Sequence, residues 1–382
     1  MAIGPRRENE STDTTMIEIA YERLRALGLT PALANRAAAA ADADETATAL
    51  QLMRLTEVHR ETVRVTDGAH DLSARVLPRL MRSLAIEETA LAVGDWVLAA
   101  VDAHGQTWVH AQVPPVSHIS RRDADGRRFS VVSNVDTALL VMGLDDDFNV
   151  RRLERYLALV HAGAGDGGGV RPVVVLTKAD VAAQTPGLIA ERVAALQGRL
   201  PASIDLFLVD GTDPDTAQRL APYLDAGQTL VVLGSSGAGK STLTNTLLGQ
   251  TVQDTGAVRE HDSRGKHTTT SRSLHRLPGG ACVIDTPGLR ALRPDIDEAT
   301  LAASFADIDT LAAQCRFRDC KHHDEPGCAV RDGVPGDRLR NYHKLLREAR
   351  RDTMGVLERQ QLLATWKARG RAARVNMKAK RG

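Results

Sequence analysis

Thr229-Leu-Val-Val-Leu-Gly234-Ser235-Ser236-Gly237-Ala238-Gly239-Lys240-Ser241-Thr242-Leu-Thr-Asn-Thr-Leu-Leu248 places an apolar run, a glycine-rich turn and a helical stretch in immediate succession. Its centre fits G-x-x-x-x-G-K-[ST], the loop that cradles phosphates. Glycines let the backbone curl so that its N–H groups converge on phosphate oxygens, and the following helix adds partial positive charge at its start. In that arrangement Lys240 reaches the β- and γ-phosphates and Ser241 ligates Mg²⁺, with Thr242 beside it in the first turn. A chance match in a Gly/Ser loop is the plainer alternative, and the strand before and helix after argue against it. The stretch therefore sets the fold class as α/β.

Downstream, the apolar run Ala281-Cys-Val-Ile284 ends in Asp285-Thr286-Pro287-Gly288. A carboxylate at a strand end beside a phosphate loop can hold the Mg²⁺ shell, and Gly288 offers an amide to a γ-phosphate. Between the two motifs lies Arg264-Gly-Lys-His267-Thr268-Thr269-Thr270-Ser-Arg272. One threonine there can complete the Mg²⁺ shell when γ-phosphate is present, which would make the loop an order–disorder switch. Thr269 stands for the three, since the sequence does not choose among them.

Upstream, Thr177-Lys178-Ala179-Asp180 follows the apolar run Val173–Leu176 and matches [NT]-K-x-D. A carboxylate accepts from both N1–H and the 2-amino group of guanine. Adenine offers an acceptor at N1 and lacks the amino group, so Asp180 selects against it. The Lys178 stem can cover the ring face. In an ordinary GTPase this motif comes last; here it precedes the phosphate loop. The pieces are complete and circularly permuted, a rearrangement folds tolerate because domain termini often lie close together. Permutation also sends the chain after Asp285 directly into whatever follows.

Apolar strands near 137–143, 170–176, 204–209, 229–234 and 281–285, with a helix over 150–160, predict a parallel sheet covered on both faces. Short β-like runs between about 58 and 120 predict a small barrel. After 291 the strands stop. We therefore expect an extension over 1–57, a barrel over 58–120, the permuted domain over 121–290 and a helical module over 291–382. Arg36–Ala49 is low in complexity and reads as a short helix or a tether.

The 382 residues are too many for one ordinary domain. A net charge of +1 excludes a global field that would hold the whole chain on nucleic acid, and 3% aromatic content weakens any scheme of stacked bases. No run reaches membrane-span length and the N-terminus has no apolar signal core, so a cytoplasmic protein without a membrane partner is expected. Cys282 sits in an apolar run and reads as core. Cys315, Cys320, His322 and Cys328 crowd together, and Cys₃His is a closed tetrahedral zinc set; His323 rivals His322. The tail bears Arg359, Lys367, Arg369, Arg371, Arg374, Lys378, Lys380 and Arg381 with no acid, which suits RNA phosphates or a solvated end.

These motifs together resemble one family, the ribosome-small-subunit-dependent GTPases called RsgA or YjeQ. The resemblance covers about 58–360 and rests on VGDWV (93–97), SNVD (133–136), TKAD, GSSGAGKST, RGKHTTT, DTPG and the Cys/His spacing. It implies an OB-fold barrel docking on rRNA and binding to the small ribosomal subunit late in its assembly. It also implies one structural zinc on Cys315, Cys320, His322 and Cys328, and a chain acting as a monomer with GTP and GDP. The family has Asn where this chain has Thr177, and the loop that closes over guanine is not recognisable in Val209–Thr216. Ras-like enzymes orient water with a Gln after D-x-x-G; the position is Leu289 here, so slow intrinsic turnover is expected. By resemblance His267 is the candidate to position that water, against a plain loop histidine. Two other readings compete, a GTP-dependent binding module with incidental hydrolysis and a P-loop ATPase; Asp180 argues against the latter.

Overall fold

The protein was analysed as a computed structural model, which describes residues 16–43, 49–122, 128–163, 169–250, 272–286 and 294–353. Its compact units do not follow chain order. One comprises residues up to Ile119, Phe129–Phe148 and Gly163–Arg290; the other comprises Ser120–Arg128, Asn149–Ala162 and Ala291 onward.

In the first unit, β1 (Met16–Glu18) leads into α1 (Tyr21–Arg25) and α2 (Pro31–Asp42). Thr30 caps α2 by accepting from the Leu33 amide at 3.3 Å, with Pro31 as its first residue, so the alanine-rich stretch is a helix there. Five strands then close a barrel: β2 (Ala49–Val58), β3 (Val63–Thr66), β4 (Asp71–Val76), β5 (Trp96–Val101) and β6 (Thr107–Gln112). β2 pairs with β3, β3 with β4, β4 with β6 in parallel, β6 with β5, and β5 with β2. The short helix α3 (Pro78–Ile86) lies between β4 and β5. This is the strand order of the expected OB-like barrel. Its first strand lies within the range read from sequence as extension. β2 is buried almost throughout its centre, so it lacks the alternation that marks a half-exposed strand.

A buried Arg54 in β2 ties this region together. Its guanidinium donates to the Leu27 carbonyl and, at 3.0 Å, to the Asn134 carbonyl, and it lies 5.3 Å from the Trp96 ring centroid. Burial lowers its pKa, while Cys282, Asp136 and Asp95 pull it back up.

Past the two-stranded sheet of β7 (His118–Arg122) and β8 (Arg128–Ser133) come β9 (Thr137–Gly143), β10 (Arg171–Thr177), β11 (Asp205–Leu208), β12 (Thr229–Gly234), β13 (Ser273–Arg276) and β14 (Cys282–Asp285). The sheet order is β11-β10-β9-β12-β14-β13, parallel except for β13, which is antiparallel to β14 and continues the sheet onto β2 of the barrel. Every residue of β9 and of β12 is buried, the unbroken apolar signature of a strand covered on both faces. Leu139, Val173, Val232, Leu243 and Val283 share one core, which also takes in Leu247 and Leu248 of the helix α8 (Lys240–Leu248). Cys282 is fully buried, as its apolar run predicts.

The second unit packs α4 (Val150–Ala162), α9 (Glu298–Ser304), α10 (Ala306–Ala312), α11 (Ala329–Gly333) and α12 (Gly336–Thr353). Ala158, Leu301, Phe305, Val330 and Leu345 form its core. Within it, buried Arg338 donates to Glu154 at 2.7 Å and to both oxygens of Asp307 at 2.6 and 2.8 Å, while Asn341 donates to Glu154 at 2.6 Å. Every charge in that network has a partner, the condition under which buried ions are tolerated.

Candidate nucleotide and metal sites

β12 runs out into the phosphate loop, and α8 (Lys240–Leu248) begins directly after it. Gly239 holds φ at +88° as the residue before the helix, a left-handed turn that glycine adopts without strain. Lys240 is buried, and its ammonium donates to the Ser235 carbonyl at 2.7 Å. Burial lowers its pKa, opposed by the charges of Asp285 and Asp147.

Asp285 ends β14, with Val232 of β12 as its register partner. Neither carboxylate oxygen meets hydrogen-bond geometry with a donor among the described residues. Burial pushes its pKa up to about 6, with Lys240 and the Thr286 amide offsetting part of that cost. A buried carboxylate left in this state beside a phosphate loop fits a divalent cation. Thr286 donates to the Val232 carbonyl at 2.7 Å and holds the strand end in place.

Thr177, Lys178, Ala179 and Asp180 stand where β10 passes into α5 (Ala179–Ala183), with α6 (Leu188–Leu196) beyond it. Thr177 donates to the Ala238 carbonyl at 2.7 Å, so the residue that replaces the family's Asn directly joins the base motif to the phosphate loop. Lys178 has φ +60°, and Asp180 is exposed in the first turn of its helix, open to a ligand. The Ala179 amide donates to the Val209 carbonyl at 3.2 Å, which brings the segment after β11 against the base motif. That segment is fastened to α8 by Thr246, which donates to the Gly211 carbonyl at 2.6 Å, and it continues into α7 (Asp215–Arg219). The structure thus gathers Thr177–Asp180, Gly234–Thr242 and Asp285 at one edge of the sheet, the carboxyl ends of its parallel strands. His267, Thr269 and Gly288, with Leu289, lie outside the described residues.

Two residues that spacing did not single out belong to this site. Asp145 receives Lys178 Nζ at 2.5 Å, and Asp147 receives the Ser235 hydroxyl at 2.7 Å. Their only local signal is a run of three aspartates at the end of a buried strand.

In the second unit, Cys315, Cys320, His322 and Cys328 bring their ligand atoms within 4.8 Å of one another. His322 Nδ1 is 3.7 Å from Cys315 Sγ and 3.4 Å from Cys328 Sγ, and those two sulfurs are 4.0 Å apart. Ligands about 2.0–2.3 Å from one tetrahedral zinc have this mutual spacing. His322 has φ +61°, which turns it into the cluster. His323 instead packs against His343, ring centroids 4.2 Å apart and planes inclined by 51°.

The same unit carries a cleft of about 990 Å³ between α4, the Cys/His loop and α12. Arg151, Arg152, Lys321, Arg340, Lys344 and Arg347 help to line it, and none of the described lining residues is acidic. The basic tail read from sequence, Arg359 to Arg381, lies outside the described residues.

Comparison with known proteins agrees with this geometry. The family model "RsgA GTPase" matches residues 113–294. The small ribosomal subunit biogenesis GTPase RsgA of Xanthomonas campestris pv. campestris is 48% identical over 302 residues, covering 76% of this chain and 79% of its own. Its counterpart in Xanthomonas axonopodis pv. citri is 47% identical over 305 residues, covering 77% and 80%. Among solved structures, YjeQ from Thermotoga maritima superposes with a TM-score of 0.55 at 21% identity, over 78% of this chain and 98% of its own. YloQ, a circularly permuted GTPase, does so with 0.53 at 22%, over 80% and 97%. Those two likenesses show the fold, a permuted P-loop domain with an N-terminal barrel, and the identity to the curated relatives, over three quarters of the chain, places this protein in the RsgA family of GTPases.

Proposed function

We propose that this chain serves small-ribosomal-subunit assembly as a GTPase whose slow intrinsic turnover is raised by the subunit itself. The observation that carries the reading is the gathering, at the carboxyl ends of one set of parallel strands, of a guanine motif, a phosphate loop and a buried Asp285 without a hydrogen-bond donor among the described residues, in a chain whose curated relatives are named small ribosomal subunit biogenesis GTPases. Asp180 accepts from the guanine N1–H and 2-amino group, Lys178 covers the ring, and Thr177 and Ala179 fix the motif's backbone. Amides of Gly234–Thr242 and of Gly288 surround the phosphates, and Lys240 neutralises charge that develops between the β- and γ-phosphates. Ser241, Thr269 and Asp285 would hold Mg²⁺, which supplies further charge neutralisation on the phosphate oxygens. His267 orients the attacking water once the subunit orders its loop, because Leu289 has no group to do so. Cys315, Cys320, His322 and Cys328 hold one structural zinc ion. The basic cleft and tail of the C-terminal module contact rRNA phosphates, and the barrel of β2–β6 docks on rRNA. The chain works as a cytoplasmic monomer; no described helix is long and apolar enough to cross a membrane.

The test is GTP turnover by the full chain with and without small subunits, for wild type and His267→Ala. Strong stimulation of the wild type is expected, bounded by the ~10⁵-fold that completion of a GTPase site can supply. His267→Ala should bind GTP normally and lose most of the stimulation. An isolated chain already turning over at the stimulated rate would refute the proposal. A His267→Ala variant stimulated as well as wild type would assign the water-orienting role to another group.

A further inference from the structure

β9 lies between the two strands that end in the nucleotide motifs. Gly143 is opposite Thr177 of β10, and Val141 is opposite Gly234 of β12. The chain leaving β9 therefore emerges between the base motif and the phosphate loop. It starts by donating the Leu144 amide to the Thr177 carbonyl at 3.0 Å. Asp145 Oδ2 then takes Lys178 Nζ at 2.5 Å, and Asp145 Oδ1 takes the Asp147 amide at 3.1 Å. Both oxygens of Asp147 lie 2.7 Å from the Ser235 hydroxyl. Ser235 is thus gripped twice, its hydroxyl by Asp147 and its carbonyl by Lys240. At the far end the Arg192 guanidinium lies 4.7 Å from the Phe148 ring centroid. A Cβ at Gly143 would collide with Asp145 Oδ1, so glycine at the strand end is what lets Asp145 fold back over it.

The geometry points to residues 144–148 as a strap that presets the nucleotide site, with Asp145 positioning Lys178 for the guanine ring and Asp147 positioning Ser235 at the head of the phosphate loop. The strap rests on the nucleotide reading of Thr177–Asp180 and Gly234–Thr242. A free lysine side chain samples many rotamers, and a charge-assisted hydrogen bond removes much of that freedom before a ligand arrives. Ordering placed in the free protein is ordering the ligand does not have to impose, and affinity rises accordingly. The contact between Asp145 and the Asp147 amide joins the two halves, so one short loop serves both the base and the phosphates. Both aspartates are positioning residues, since neither occupies the place of a reacting atom.

The halves are separable by experiment. Displacement of a fluorescent GDP analogue from the full chain gives affinities for GDP and for guanosine, which lacks phosphates. Asp147→Ala should weaken GDP about tenfold and leave guanosine unchanged, the scale of one lost charge-assisted hydrogen bond. Asp145→Asn should weaken both ligands by the same factor, about three- to tenfold, because it acts through the base. Asp147→Asn keeps an acceptor for the Ser235 hydroxyl and should restore most of the GDP affinity. Asp146, exposed between the two, is the control, and Asp146→Ala should bind as wild type. Wild-type GDP affinity in Asp147→Ala or in Asp145→Asn overturns the strap, as does an Asp147→Ala that loses guanosine as much as GDP. A wild-type chain that fails to bind GDP overturns the underlying site reading instead.

Discussion

Asp180 and Asp95 show how one residue type takes opposite roles from its surroundings. Asp180 is exposed at a helix start, where its charge is free to meet a ligand. Asp180→Asn should weaken GTP binding and improve binding of xanthosine triphosphate, whose 2-position is an acceptor; competition between the two nucleotides reads this directly, and unchanged preference would count against the base assignment. Asp95 is fully buried in the barrel, accepting from the Ala92 amide and from Gln112 Nε2, each at 2.7 Å. Burial pushes its pKa up to about 6, and the Ala92 amide, Ser133, Gln112 and Arg54 offset only part of that. Between pH 4 and pH 6 the folded state therefore binds more protons at Asp95 than the unfolded state does. Its contribution is most favourable below pH 4 and declines as pH rises to about 6, by up to about 3 kcal/mol. Asp95→Asn should remove that decline. Denaturant unfolding of both proteins at several pH values checks it, and a pH-independent difference between them would contradict the assignment.

At the scale of elements, a zinc ion on the Cys/His loop would add to the order that Glu325 already gives it by accepting from the Lys321 and His323 amides at 2.9 and 2.8 Å. Cys315 and Cys320 pack only partly against the second unit's core, and Cys328 caps α11 by accepting from the Arg331 amide at 3.4 Å. Metal binding is then part of the folding energy of the loop. One zinc per chain is expected in the wild type. Cys320→Ser should lose it and lower the melting temperature of the second unit by at least about 5 °C. Elemental analysis and calorimetry test both statements; a metal-free wild type that melts like the variant would reject them.

For the molecule as a whole, a net charge of +1 hides a strongly uneven distribution. Cations line one cleft without an acid among its described lining residues, and the sequence of the tail carries further cations. If the cleft meets RNA phosphates, Arg340→Glu with Lys344→Glu should weaken small-subunit binding and flatten its salt dependence by roughly 0.7–0.9 in slope per lost contact. Truncation after Gln360 measures the tail by the same slope. An unchanged slope in the double variant would move the RNA contact elsewhere.

What the sequence determined by itself are the features set by covalent spacing. The phosphate loop, Thr177–Asp180, Asp285 and the Cys/His set are local, and each needs only a strand end or a turn in the right place. The fully apolar runs of β9 and β12 are equally legible, because burial on both faces leaves no other composition. Tertiary structure decided whatever depends on distant register. Strand β2 escaped a periodicity reading because it is covered on both sides and carries a buried arginine at its centre. His322 and His323 are neighbours in sequence, and backbone conformation turns only the first toward the thiols. Asp145 and Asp147 look like any acidic turn until β9 is laid between β10 and β12, which places their carboxylates against Lys178 and Ser235. The cleft likewise exists only because α4 and α12, far apart in the chain, pack in one unit.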